Sequence, residues 1–285
     1  MFYRLLDMKF WLLLFTSCLI IPLKGMSQRS SQQNFFSLSE LGPTIGNMYY
    51  LGDLNPSKQF YKPNLAVGLM YRYHVNARLA YRFNVATGSV EASDADSKND
   101  LLVNRNLSFS SNIQEIVGGI EFHYHKYQMG NKKYRATTYM IFQAGLFHFN
   151  PTREFNGNEV ELQPLGTEGQ GTSFGRKKKY SRYQLCVPIG LGAKISLGKV
   201  ANLNLDIAIR KTFTDYLDDV GSNYSVDPAA FDGLNDNTAM ELSNTSLDNS
   251  RYSRRGNKST DDWYVYYSAS ITFRLGKTNK CAEPR

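Results

Sequence analysis

YQLCVPIGLGAKISLGKVANLNLDIAIRK, residues 183–211, decides the fold. Tyr183, Leu185, Val187, Ile189, Leu191, Ala193, Ile195 and Leu197 take every second position, and Gln184, Cys186, Pro188, Gly190, Gly192, Lys194 and Ser196 fill the gaps with small or polar groups. A period of two is a strand. Gly198 supplies the turn, and Leu203, Leu205, Ile207 and Ile209 then alternate with Asn204, Asp206, Ala208 and Arg210. An apolar face and a polar face over about fifteen residues exceed the usual soluble strand. In a membrane barrel the apolar face meets lipid, and glycine, charge and hydroxyl face the lumen.

The rest of the chain carries the same rhythm. A first strand is expected at Phe35 to Ile45, with a bulge or bend at Gly42-Pro43, and a loop follows from Gly46 to Pro63. Asn64 to His74 places Leu65, Val67, Leu69, Tyr71 and Tyr73 outward, and Ala66, Gly68, Met70, Arg72 and His74 inward. After a tight turn at Val75-Asn76, Leu79, Tyr81, Phe83 and Val85 face lipid, with Arg78, Arg82 and Asn84 inside. A polar loop from Gly88 to Asn106 leads to a strand at Leu107 to Tyr127, in which Glu115, Gly119, Glu121, His123 and His125 share the lumen face. Tyr134 to Phe149 has apolar residues on both faces, and a long loop from Asn150 to Arg182 precedes the deciding hairpin. The longest loop runs from Phe213 to Asp262, and strict alternation returns from Trp263 to Leu275. Eight strands, with connections alternately long and short, make an all-β, eight-stranded antiparallel up-and-down transmembrane barrel with long outer loops and both termini in the periplasm of a bacterial outer membrane.

Composition agrees. The 285 residues include 19 Tyr, 17 Phe and 22 Gly, while mean hydropathy stays slightly negative because lumen and loops dilute the lipid face. Part of the net charge of +8 sits in Arg176 to Lys179 and part in the tail, with no stripe suited to nucleic acid. Arg4 and Lys9 precede an apolar run from Phe10 to Leu23, and Gly25-Met26-Ser27 precedes Gln28. Residues 1–27 therefore read as a secretory signal peptide, 28–275 as the barrel and 276–285 as a periplasmic tail. The tail's Lys277, Lys280 and Cys281 are candidate partner contacts, and Cys186 lies too far from Cys281 along this topology for a disulfide.

Six segments carry a resemblance. Glu40-Leu41-Gly42, Gly52-Asp53-Leu54-Asn55-Pro56, Tyr71-Arg72-Tyr73, Asn106-Leu107-Ser108-Phe109, Pro164-Leu165-Gly166-Thr167-Glu168-Gly169-Gln170-Gly171 and Thr212-Phe213-Thr214-Asp215-Tyr216-Leu217-Asp218-Asp219-Val220 occur in order across the mature chain. In these the chain resembles the PorG-like outer-membrane barrels of the Bacteroidota type IX secretion machinery. The resemblance implies a non-catalytic accessory of protein secretion, associated with periplasmic ring or lipoprotein subunits and with outer-membrane lipids. The basic segment Arg251 to Lys258 and the cysteine-bearing tail have no counterpart in the matched motifs.

The residues admit other chemistry. Glu121, His123 and His125 are zinc-type ligands at alternate positions, but alternate strand residues stand about 7 Å apart, which favours separate contacts. The expected lumen network pairs Glu115, Glu121 and Asp206 with Arg72, Arg78, Arg82, Arg210 and Arg274, with Lys194 on the same face, and fills a barrel of this size. Asp215, Asp218 and Asp219 could gather a divalent cation with Asp53 or Glu168, though Asp-rich turns more often cap their own backbone. Gly166 to Gly171 lacks the Lys-Ser/Thr and following helix of a phosphate loop. Arg176 to Lys179 suits lipopolysaccharide phosphates or plain solvent. A lipid hydrolase or acyltransferase needs a nucleophile beside an oriented His, for which His148 with a loop serine is the candidate. No enzyme and no cofactor is expected; an adhesin or lipopolysaccharide-binding barrel acting through its outer loops, or a lipid-modifying enzyme, is the alternative.

Overall fold

The structure is a computed structural model and describes residues 38–171, 178–221, 238–248 and 255–276. The expected signal peptide, and the expected tail after Gly276 with Lys277, Lys280 and Cys281, lie outside the described residues. Among the described residues nine strands form: β1 Ser39–Leu51, β2 Asn64–His74, β3 Leu79–Ser93, β4 Ser108–His123, β5 Ala136–Phe155, β6 Asn158–Glu161, β7 Tyr183–Ser196, β8 Ala201–Thr212 and β9 Trp263–Arg274. All neighbours pair antiparallel, β1 closes onto β9, and β4 pairs with β5, so eight strands make a closed barrel with β6 as a flap on β5.

Alternation is what closes it. Leu65 is 63% exposed and Leu191 58%, while Ala66, Met70 and Arg72 are fully buried. A water-facing wall with apolar side chains at every outward position would be an unusually large apolar surface, and a lipid-facing wall requires one. The barrel is of the outer-membrane type.

Several boundaries shift from the expectation. β1 begins at Ser39 and runs to Leu51, not Ile45. Gly42-Pro43 makes no bulge: the register of β1 against β2 is continuous, and against β9 it resumes unchanged after two unpaired positions. Pro43 has no N–H to give, and a Cβ on Gly42 would lie 1.9 Å from the carbonyl oxygen of Ile271. β3 continues to Ser93, because Val90 and Ala92 still point into the lumen, and only then does a 3-10 turn, Asp94–Asp96, lead to α1 Asp100–Arg105. Asn99 caps α1 through Leu101 N, and Asn106 ends it in the left-handed region at φ 53°. β5 extends to Phe155 and returns as β6 through Asn156-Gly157, whose positive φ values suit a two-residue hairpin. Short helices α2 Leu162–Leu165 and α3 Thr238–Ser243 lie in the long loops.

The lumen has two halves. Towards the long loops, Met48, Tyr50, Phe109, Ile113, Phe147, Phe149 and Tyr264 form an apolar plug, roofed by Leu54, Leu162, Leu217, Val220 and Leu242 from the loops. Towards the short turns the filling is ionic. That end is covered by the β4–β5 turn, since β4 stops at His123 and not at Tyr127. Tyr127 swings inward and is 4% exposed; its N donates to Ala77 O at 3.0 Å and its hydroxyl bonds Asn202.

Candidate functional site

The ionic half of the lumen centres on Glu121 and Arg72. Arg72 Nε and Nη2 each lie 2.9 Å from Glu121 Oε2, and Nη1 reaches Glu40 Oε2 at 2.9 Å and Asn204 Oδ1 at 3.0 Å. Lys194 Nζ is 3.0 Å from Glu121 Oε1 and 2.8 Å from His123 Nε2. Arg82 Nη2 donates to Asp206 Oδ2 at 2.6 Å, and the Tyr139 hydroxyl donates to Asp206 Oδ1 at 2.5 Å. Further up, Arg210 Nη2 meets Glu115 Oε1 at 2.9 Å, with the Tyr264 hydroxyl 2.8 Å from Oε2. Four cations, Arg72, Arg82, Lys194 and Arg210, thus face four carboxylates, Glu40, Glu115, Glu121 and Asp206, in a region without bulk water. Buried charge persists only when paired in this way.

Three expected members sit elsewhere. Arg78 lies in the β2–β3 turn, exposed, because β3 starts one residue later. Arg274 is half-buried at the rim and donates to Met129 O at 3.3 Å, not to Glu115, Glu121 or Asp206. His125 is exposed beyond the end of β4, its N on Thr137 Oγ1 at 3.1 Å, so it shares no face with Glu121 and His123. Glu40 and His74, 2.6 Å apart through His74 Nε2, belong to the network instead. The alternation of β2 turns His74 inward, while the pairing with Glu40 is set by the barrel's closure. His148 is outside the lumen, its ring 4.7 Å from that of Tyr183.

The long loops make a second constellation. Gly52 and Asn55 exchange both backbone hydrogen bonds in a tight turn. Asp53 Oδ2 accepts Asn257 N at 2.7 Å. Thr167 Oγ1 donates to Asp219 Oδ2 at 2.5 Å, and the Tyr180 hydroxyl to Asp219 Oδ1 at 2.7 Å. Glu168 Oε1 accepts Gly221 N at 3.0 Å, and Gln170 Oε1 accepts Glu168 N at 3.0 Å. Gly169 and Gly171 take positive φ of 77° and 79°, which keeps this loop compact. Thr214 O receives Asp262 N at 2.9 Å, and the ring of Tyr216 stacks on Tyr180 at 4.8 Å.

Arg255, from the basic segment that sequence left without a role, is buried at the centre of this knot. It gives Nη1 to Asp219 O and to Thr167 Oγ1, each at 2.8 Å, with Glu168 3.4 Å away. Arg105 of α1 clamps the other side, bidentate on Asp94 at 2.6 and 2.7 Å, and touches the Arg255 carbonyl at 2.5 Å. Arg255, held by one main-chain carbonyl, a hydroxyl and carboxylates distant in the chain, has no local sequence signal.

Three carboxyls show what burial does to charge. The Tyr50 hydroxyl lies 2.5 Å from Asp218 Oδ2 and 2.6 Å from Asp262 Oδ1. It has one proton to donate, so contact with both requires a proton on one of the acids. Burial and mutual repulsion raise Asp218 well above the carboxylate range; burial raises Asp262 likewise. Asp215 finds no hydrogen-bond donor, and burial beside Asp53 and Asp218 pushes it up to about 9. Asp218 and Asp262 also cap the N–H groups of Val220 and Leu217. Among the described residues no three His, Cys, Asp or Glu side chains come together as a metal ligand set.

A family model described as Domain of unknown function (DUF6089) matches residues 17–239. Among solved structures, Neisserial surface protein A is similar at 9% identity and a TM-score of 0.40, over 84% of this chain and 97% of that one. Ail, the attachment invasion locus protein of Yersinia pestis, in complex with the heparin analogue sucrose octasulfate, gives 10% and 0.38 over 82% and 97%. The N-terminal β-barrel domain of Pseudomonas aeruginosa OprF gives 10% and 0.34 over 83% and 98%. No curated protein matches the sequence.

Proposed function

The chain belongs to the DUF6089 family, and we propose that it serves as a non-enzymatic outer-membrane component of a protein secretion machine of the type IX kind. The observation that carries this reading is the convergence of its motifs. Gly52 to Pro56, Pro164 to Gly171 and Thr212 to Val220 are far apart in sequence, yet Arg105, Arg255 and Asp219 join them in one knot. Three of the six segments by which the chain resembles PorG-like barrels therefore form one three-dimensional feature.

The filled lumen supports an anchoring role over a conducting one. Among the described residues, ion pairs fill one half of the lumen and aromatic rings the other. With both termini and the short turns in the periplasm, Lys277, Lys280 and Cys281 of the tail are available to periplasmic ring or lipoprotein subunits.

Deletion of the gene, scored by secreted cargo in the medium, tests the reading. Loss of secretion that the full chain restores, with co-purification of periplasmic subunits, is expected. A chain ending at Leu275 should fold and show heat-modifiable migration on gels, but lose partner and secretion together. Normal secretion in the deletion strain would refute the proposal.

A further inference from the structure

The outer wall of the barrel has a gap near the short turns. β4 ends at His123 while β5 starts at Ala136, and the outward positions there are small: Thr138 on β5 and Ala193 on β7, which face each other in the register. Phe122, Tyr124, Leu191 and Leu205 stand around them. The result is a mainly apolar groove of about 610 Å³ on the lipid-facing side, within the size range of small-molecule sites. Much of the rest of this face carries large residues such as Ile45, Leu65, Leu69 and Ile189, though Gly118 and Ala144 are a second small pair.

Directly beside the groove the surface becomes strongly basic. The turns at 75–78, 124–135 and 197–200 carry Arg78, Lys126, Lys132, Lys133, Arg135 and Lys199, all exposed, and contain no Asp or Glu. Backbone bonds bring these cations to the groove's edge. Tyr124 N donates to Thr138 O at 2.9 Å, which sets Lys126 next to the wall, and Arg135 O accepts Ser196 N at 2.7 Å. Gly130 N donates to Ser196 Oγ at 3.0 Å and packs on Lys199, so the segment bearing Lys132 and Lys133 lies across the same edge.

From this juxtaposition we propose that the groove seats one anionic glycerophospholipid of the leaflet next to the short turns, with an acyl chain along Thr138 and Ala193 and the phosphate on the cationic rim. The apolar trough lies in the hydrocarbon band, where a peptide would leave its backbone without partners. The cations lie on the turns beyond the strand ends, where each contributes attraction to an anionic lipid surface. A soluble acidic protein would use the rim alone and leave the trough unexplained.

Native mass spectrometry of the full barrel in neutral detergent, titrated with phosphatidylglycerol or phosphatidylcholine, tests this. The wild type should retain one phosphatidylglycerol at least about tenfold more tightly than phosphatidylcholine. Ala193→Phe, which fills the trough, should abolish that retention, as should the combined Lys132→Gln, Lys133→Gln and Arg135→Gln. Heat-modifiable migration checks that each variant folds, and Ala193→Leu replaces Ala193→Phe if the latter does not. Equal retention of the two lipids would overturn the proposal. So would loss of binding in the charge variant with none in the trough variant, the result expected for an anionic ligand without an acyl chain.

Discussion

Arg82 and Asp206 stand on diametrically opposed strands of the barrel, β3 and β8, yet Arg82 Nη2 lies 2.6 Å from Asp206 Oδ2. The pair spans the lumen. Glu115 on β4 and Tyr264 on β9 make a second such tie, at 2.8 Å. Removing one partner leaves a buried charge alone, so Arg82→Met should cost about 3 to 5 kcal/mol. Denaturant unfolding in lipid vesicles, followed by the gel shift of the unfolded form, measures it. An unchanged midpoint would mean that Asp206 is satisfied by Tyr139 alone.

The lipid face should reject charge. Ile189 on β7 is 51% exposed and pairs with Ile209 across β8. Ile189→Arg places a guanidinium in hydrocarbon at a cost of about 2 to 4 kcal/mol. If this variant inserts and unfolds like the wild type, Ile189 does not face lipid.

The outer knot should loosen as pH rises. Burial pushes Asp219 up to about 6 and Asp215 up to about 9, and raises Asp218 and Asp262 as well. A carboxyl whose value is raised by folding contributes its stability fully below the unfolded value, near 4, and loses it as pH climbs through the folded value. Asp96 and Glu161 shift the opposite way, held down by hydrogen bonds from Tyr61 and Arg182, but they are exposed and screened. Hydrogen exchange at Leu217 and Val220 should therefore speed up between about pH 5 and pH 9 by more than the intrinsic base-catalysed rate. Constant protection factors would show that these acids are ionised throughout.

Arg255→Ala should open the loops without unfolding the wall. Asp219 and Glu168 would lose their buried cation, at a cost of about 3 kcal/mol borne by the knot. Protease added to whole cells should then cut within Phe213 to Asp262 faster than in the wild type, with the barrel fragment intact. Cleavage only after the outer membrane is breached would put the long loops on the other side.

What sequence disclosed follows from how local each signal is. The facing of Ile189 and Gly190 can be read from neighbours one residue away, because a strand's period of two is a local property. The flap β6 also had its signal, Asn156-Gly157 between alternating residues, hidden inside what reads as a long loop. Tyr127 did not: it keeps the alternation of β4 but leaves the strand, since Asn202 and Ala77, which hold it, are distant in the chain. Arg255 was equally opaque, because its partners Thr167 and Asp219 are brought to it by three separate loops. For the same reason Arg78 and His125, each one or two positions past a strand end, were placed inside on the strength of a pattern that had already stopped.

The β4–β5 turn has a consequence for the order of assembly. Its anchors are Ala77 between β2 and β3, Ser196 at the end of β7, Asn202 at the start of β8 and Arg274 at the end of β9. Those on β7, β8 and β9 come later in the chain than the turn itself, and the last of them is at the final residue of the closing strand. The turn can seat fully only after the seam between β1 and β9 has formed. An environment-sensitive dye at Gln128, beside Tyr127, would lose its contact with water as the last kinetic step and so mark the moment at which the wall becomes continuous.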